Sequence, residues 1–162
     1  MKRLRARRLR AEAFEPFGDV LEAGDAPHRR INAGRCRRYH DLAALDFAHG
    51  RAGVSLFQAQ LCRFPVEIAL LERHPLGSQC FVPMGGAGYL VVVALDAGGV
   101  PGAPRAFVAQ GDQAVNYHRD IWHAVLTPVA GGGLFAVIDR IGQGANLVEH
   151  HLEMPLTVEA PE

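Results

Sequence analysis

Apolar residues occur along the chain in many short runs, and glycine or proline separates most of them. Runs of about four to eight residues between such breakers are typical of β-strands joined by tight turns. One helical turn is expected over Tyr39–Phe47, with Asp41 as its cap. The pattern predicts a mainly all-β fold, a small closed barrel or sandwich with one or two short helices. The predicted strands are Phe14–Leu21, Val54–Cys62, Val66–His74, Gln79–Pro83, Gly88–Ala94, Ala106–Val108, Ala114–Tyr117, His123–Pro128, Leu134–Asp139 and Val148–Leu152.

Length and charge limit the classes of protein to which this chain can belong. A chain of 162 residues with 49% hydrophobic residues predicts one domain over residues 1–162, with a core that needs no disulfide. Lys+Arg and Asp+Glu both number 17, which argues against a nucleic-acid partner because phosphate binding needs a basic surplus. The longest apolar run, Tyr89–Leu95, is far shorter than the roughly 20 residues of a membrane-spanning helix, so no membrane partner is expected.

The N-terminus and the cysteines carry weaker signals. Six basic residues crowd the first ten positions, which would suit a nucleic-acid arm or a targeting peptide, but we favour an edge strand with solvated charges.

The three cysteines are widely spaced and form no CxxC pair, so we expect small buried thiols in a reducing cytoplasm. The cysteines are Cys36, Cys62 and Cys80.

A first candidate site lies in the segment from Ile68 to His74. Because a strand alternates faces, Ile68, Leu70, Glu72 and His74 are expected to share one side. Two apolar residues followed by a carboxylate and an imidazole predict a barrel interior that becomes polar towards its mouth. A Glu and a His two positions apart are also compatible with a structural ion pair.

The second candidate site is the segment from Asn116 to His123. It places two histidines, an arginine, an aspartate, a tyrosine and the only tryptophan within eight residues. His118 and His123 should bracket a tight turn, at which Asp120 tolerates a left-handed backbone. A solvated loop would carry more Gly, Ser and Lys, so this density favours a functional site.

These segments resemble a known family. Glu72-x-His74-x4-Gln79, followed by His118-x-Asp120-x2-His123, is similar to a degenerate form of the two cupin motifs. More narrowly, Glu72-Arg-His-Pro75, Ser78-Gln79, Asn116-Tyr-His-Arg119, Trp122-His123 and Asp139-Arg140 resemble bacterial ureidoglycolate lyases. Similar motifs near the two ends, Glu12 to Val20, Arg38 to Leu42 and Gly142-x-Gly-x-Asn146, extend the resemblance over nearly the whole chain. Asp120 departs from the glycine expected in that family.

The resemblance implies a cupin-like barrel and a cytoplasmic homodimer that splits ureidoglycolate into glyoxylate and urea in purine (allantoin) breakdown. This elimination needs a base for the hydroxyl proton and an acid for the departing nitrogen. The candidate catalytic residues are Glu72, His74, His118 and His123. The candidate anchors of the small-molecule substrate's carboxylate are Ser78, Gln79, Arg119 and Arg140.

A metal and two other functions stay open at this stage. Glu72, His74 and His123 form a two-histidine, one-carboxylate set that suits a divalent ion, with Gln79 as a weak fourth ligand. The family resemblance suggests nickel, acting as a Lewis acid, and no organic cofactor. The same ligands would suit iron in a cupin dioxygenase, and a non-catalytic cupin-like binding module is the third alternative.

Overall fold

The computed structural model describes residues 2–162 and confirms a mainly all-β, cupin-like barrel. The described chain contains fifteen strands and one short helix, α1, over Ala11–Phe14. The strands are β1 Lys2–Arg5, β2 Arg7–Arg8, β3 Gly18–Leu21, β4 Arg29–Ile31, β5 Cys36–Arg38, β6 Arg51–Gln58, β7 Val66–Arg73, β8 Gln79–Pro83, β9 Tyr89–Ala94, β10 Arg105–Ala109, β11 Ala114–Tyr117, β12 Trp122–His123, β13 Thr127–Pro128, β14 Leu134–Ile141 and β15 Val148–Glu159.

The larger sheet has eight strands in the order β1-β15-β7-β12-β9-β10-β2, with β13 paired to β9. Its two ends are joined through the N-terminal segment, since β1 pairs with β15 and β2 pairs with β10, and only Ala6 separates them. The basic run is therefore built into the sheet, as the expectation of an edge strand required. Arg3 and Arg5 lie exposed and pair with Glu159 at 3.0 and 3.2 Å.

The second sheet has five strands in the order β3-β11-β8-β14-β6. One core lies between the sheets, and alternate residues of β9, β8, β11 and β14 build it: Tyr89, Val91, Val93, Phe81, Val115, Tyr117, Phe135 and Val137. The remaining residues of β9 face a second core on the opposite side of the larger sheet, together with Trp122, Leu71 and Leu156. This two-sided burial explains why β9 is apolar throughout.

Strand β7 breaks the expected alternation. Ile68 and Leu71 lie in the same core, although they are three positions apart and would face opposite sides of a regular strand. The pairing of β15 with β7 shifts between His151 and Leu156, opposite this point, and a bulge of this kind re-aims the side chains beyond it. Our expectation that Ile68 faces the same side as Glu72 is therefore wrong.

Other differences concern segments with weak local signals. The turn of helix over Tyr39–Phe47 is absent, and a helix forms instead at α1, just before β3. The strand predicted over His123–Pro128 divides into β12 and β13. The hairpin of β4 and β5 was not predicted, because its arginines hide any apolar alternation. No helix in residues 2–162 is long and apolar enough to cross a membrane.

Candidate active site

Four polar side chains meet at one end of the inter-sheet core. Glu72 is the second-last residue of β7, His74 follows that strand, Gln79 begins β8, and His123 ends β12. His123 lies directly opposite Glu72 in the pairing of β12 with β7, so the two side chains project from the same face. The expected convergence of Glu72, His74, Gln79 and His123 is therefore found.

The distances within this cluster are short. The ligand atoms of Glu72, His74 and His123 all lie within 4.8 Å of one another. His74 Nε2 is 3.9 Å from Glu72 Oε1 and 3.1 Å from Gln79 Oε1. The rings of His74 and His123 are 5.3 Å apart between centroids.

Asn146 fixes the orientation of His74. The backbone carbonyl of Asn146 accepts a hydrogen bond from His74 Nδ1 at 2.7 Å, so the proton must be on Nδ1. The Asn146 side-chain oxygen also accepts from the Leu76 N–H at 2.7 Å. Sequence reasoning gave Asn146 no role beyond its place in a family motif, because no local pattern shows that residues 72 positions apart meet.

His123 is almost fully buried, at 1% exposure, and its ring stacks on Tyr117 with centroids 4.2 Å apart and planes 1° from parallel. Its Nδ1 donates to the Ala124 carbonyl at 3.1 Å. Burial, with a smaller contribution from His74, lowers the pKa of His123 to about 3. His123 is therefore neutral, and its buried Nε2 lone pair has no partner among residues 2–162.

Burial also weakens the acidity of the neighbouring groups. It raises the pKa of Glu72; His74 opposes that effect, and Glu149 on β15 adds to it. Burial, followed by the charge of Glu72, raises the pKa of Tyr117 far above its usual value. Glu72 is thus a stronger base than an exposed carboxylate, and Tyr117 stays protonated.

The arrangement calls for a positive charge among these atoms. With the His74 proton on Nδ1, lone pairs of His74 Nε2, Gln79 Oε1, Glu72 and His123 Nε2 converge with no donor between them. A second proton on His74 Nε2, or a metal ion, removes this repulsion between lone pairs. Two atoms bound to one ion at about 2.1 Å lie roughly 3 to 4.2 Å apart, and the separations of 3.1 and 3.9 Å agree with that range. The residues present therefore fit a divalent ion.

His118 makes its hydrogen bond outside this cluster. Its Nε2 is 3.0 Å from Asp19 Oδ2, and Asp19 also accepts from Asn116 Nδ2 and the Ala44 N–H. Burial opposes ionisation of Asp19, but these hydrogen bonds and His118 outweigh it and lower its pKa. The expected tight turn follows, with Asp120 at a φ of 67°.

Ser78 and Arg119 both interact with Asp46. The Ser78 hydroxyl accepts from the Asp46 N–H at 2.9 Å. The Arg119 guanidinium donates to both Asp46 carboxylate oxygens at 2.6 and 2.7 Å, in an exposed pair. The Arg119 guanidinium, which we expected to hold the substrate carboxylate, thus binds the Asp46 carboxylate of the chain itself.

Arg140 holds loops together. Its guanidinium donates to the carbonyls of Ala48, His49 and Gln143. Glycine leaves room for it, because a Cβ at Gly142 would lie 2.7 Å from Arg140 Nη2. Arg140 therefore supports the loop that carries Asn146 to His74.

Comparison with known proteins agrees with this geometry. Residues 1–159 match the sequence model described as ureidoglycolate lyase. The chain belongs to the ureidoglycolate lyase family. It is 55% identical over 160 residues to the ureidoglycolate lyase of Rhodobacter capsulatus, covering 98% of this chain and 99% of the relative. It is 48% identical over 155 residues to ureidoglycolate lyase 2 of Rhizobium meliloti, covering 94% and 95% of the two chains. For the ureidoglycolate lyase of Brucella melitensis the identity is 49% over 144 residues, covering 88% and 85%.

Membership of the ureidoglycolate lyase family confirms the family expected from the motifs. The protein is therefore an enzyme of the lyase class that acts on a small molecule. The oxygenase and the non-catalytic binding module, which the ligand set alone left open, are not favoured.

Proposed function

We propose that this enzyme cleaves ureidoglycolate to glyoxylate and urea by acid/base-assisted elimination. The observation that carries the proposal is the convergence of Glu72, His74 and His123 at the end of the barrel core. The full-length match to the ureidoglycolate lyase family supports the choice of substrate.

The substrate carbon bears a hydroxyl, a carboxylate and a ureido nitrogen, and its collapse needs two proton transfers. Glu72, whose pKa is raised by burial, takes the hydroxyl proton as that oxygen forms the new carbonyl. The carbon–nitrogen bond breaks, and the Glu72 carboxyl group returns that proton to the departing nitrogen, so protons balance over one turnover. Glu72 has two carboxylate oxygens, so one can carry the proton while the other, with His74 Nε2 3.9 Å away, stays available for an ion.

The same residues would hold a divalent ion. Glu72, His74 and His123 would be its ligands, with Gln79 Oε1 beside them, and family resemblance suggests nickel. When bound, such an ion supplies Lewis-acid polarisation of the substrate hydroxyl or carboxylate. The unpartnered His123 Nε2 supports this assignment.

For the substrate carboxylate we propose Arg119 as the anchor, because Asp139 already accepts from the Gln79 NH₂ group. Ser78, Arg140 and His118 bond to other parts of the chain, and we propose that they support the surrounding loops. Arg119 is partly exposed, so a carboxylate can reach it in competition with Asp46. Glyoxylate should therefore compete with substrate, and Arg119→Lys should weaken that competition. Unchanged inhibition of the variant would reject Arg119.

We also propose a cytoplasmic homodimer. The cysteines at positions 36, 62 and 80 are free, which suits a reducing compartment. The edge strand β6 leaves Val54 and Leu56 exposed at 74% and 64%, beside Ala136 and Ile138 of β14, and an apolar sheet face of this kind is typical of a subunit contact. Val54→Asp should shift the sedimentation coefficient towards that of a monomer. A parent chain that sediments as a monomer would refute the dimer.

The deciding experiment gives the purified chain ureidoglycolate and measures urea and glyoxylate together, with and without a chelator. Equal release of both products supports the lyase, and chelator sensitivity that nickel reverses supports the metal. Ammonia in place of urea, or no product from the nickel-supplemented chain, would refute the proposed reaction.

A further inference from the structure

Asp139, to which sequence analysis gave no role of its own, contacts the cluster through Gln79. The pairing of β14 with β8 ends at Ile138 opposite Cys80, so Asp139 and Gln79 are the next facing residues. Each lies two positions from a residue of the inter-sheet core, Val137 and Phe81. Both side chains therefore project inward, and Gln79 Nε2 donates to Asp139 Oδ2 at 3.3 Å.

This contact determines which end of the Gln79 amide faces the site. An ionised carboxylate only accepts hydrogen bonds, so the amide NH₂ must face Asp139 and the carbonyl oxygen must face the other way. That oxygen is 3.1 Å from His74 Nε2. Gln79 is 5% exposed, so the described contacts, rather than solvent, fix its orientation.

The orientation matters because the two ends of an amide act oppositely on a cation. The carbonyl oxygen is a ligand for a divalent ion, whereas the NH₂ group offers no free lone pair and repels it. We propose that Asp139 is a positioning residue that presents the Gln79 carbonyl oxygen to the metal ion held by Glu72, His74 and His123. This inference rests on the metal site of the proposed function.

Asp139→Asn keeps the shape of the side chain and removes the constraint on the orientation of the Gln79 amide. An asparagine both donates and accepts, so it is satisfied by either orientation of Gln79, including the one that turns NH₂ towards the ion. Loss of a group that orients a ligand typically weakens metal affinity about 10- to 100-fold. The reciprocal change, Gln79→Glu with Asp139→Asn, restores a fixed orientation, because the new amide donates to one carboxylate oxygen and leaves the other for the ion.

The test is titration calorimetry of nickel into the full chain after chelator treatment, without substrate. We expect Asp139→Asn to weaken binding about 10- to 100-fold and the double variant to return to at least the parent affinity. Asp112→Asn, on an exposed turn, is the matched control and should bind as the parent does. Thermal unfolding of each chelated variant checks that folding is intact.

Parent-like affinity of Asp139→Asn would overturn the inference, as would a double variant no tighter than the single one. A parent chain that binds no nickel would overturn it too. Urea release is assayed separately, so a chain that shows the expected nickel pattern but releases no urea would count against the proposed function alone.

Discussion

Glu72→Gln should separate catalysis from stability. The substitution keeps the size of the side chain and removes a half-buried carboxylate 3.9 Å from His74. Loss of one positioned base typically costs about 10²- to 10⁴-fold in rate, which is about 3 to 5 kcal/mol of activation free energy at about 1.4 kcal/mol per tenfold. Because the amide oxygen of Gln is still a weak acceptor at the same place, we expect kcat/KM for urea release to fall about 10²- to 10³-fold.

Folding stability should change in the opposite direction. The pKa of Glu72 in the folded chain is raised, mainly by burial, so its contribution to stability is present below the unfolded pKa and is lost as pH rises through the folded pKa. At pH 7 the chelated variant should therefore unfold at the same or a higher urea concentration than the parent. A variant that keeps more than about a tenth of parental activity would refute the assignment of Glu72 as the base, since such a base contributes at least about 10². A variant that unfolds much earlier would instead show a structural ion pair.

Three further substitutions test the surroundings of the site. His123→Ala removes a buried ring stacked on Tyr117, so both activity and stability should fall, the latter by roughly 2–4 kcal/mol in urea unfolding; an unchanged midpoint would contradict the packing described. Asn146→Ala keeps the backbone carbonyl that binds His74 but leaves the Leu76 N–H without its partner, so we expect a loss of about 1–3 kcal/mol and a lower kcat as the loop shifts; intact kcat would show that the Asn146 side chain is not needed to hold that carbonyl against His74. Asp19→Asn should lower the free energy of unfolding at pH 7, because the lowered pKa of Asp19 means that its ionised form stabilises the fold. The difference in unfolding free energy between variant and parent should shrink as pH falls below about 4, and a difference independent of pH would contradict this.

The strands whose bounds were predicted best are those with strand-breaking or turn-forming residues at their ends. The observed bounds of β8 and β11 are the predicted ones, and Pro83 marks the end of β8. The face of Ile68 could not be predicted, because the irregularity that breaks the alternation lies in the partner strand β15. Closure of the larger sheet by the N-terminal segment was equally hidden, since it depends on pairing with β15 and β10 at once.

For the site, Glu72 and His74 were predictable because His74 directly follows the strand that carries Glu72, and a two-residue spacing keeps them on one side. Asn146 and Asp139 were not, because each reaches the cluster from another loop or strand through one hydrogen bond. Contacts of this kind follow from the folded arrangement and leave no periodic trace in the sequence.

The dense polar segment from Asn116 to His123 shows why local crowding is a weaker guide than strand geometry. Consecutive residues of a strand point to opposite faces, so Tyr117 enters the core beneath His123 while Asn116 and His118 bond with Asp19 on the other side of the sheet. Residues that are neighbours in sequence are thus divided between two environments. Glu72 and His123, 51 positions apart, face each other across paired strands. In a β-rich sequence, a candidate site is therefore better predicted from polar residues that face the same side on several strands than from the densest polar run on one strand.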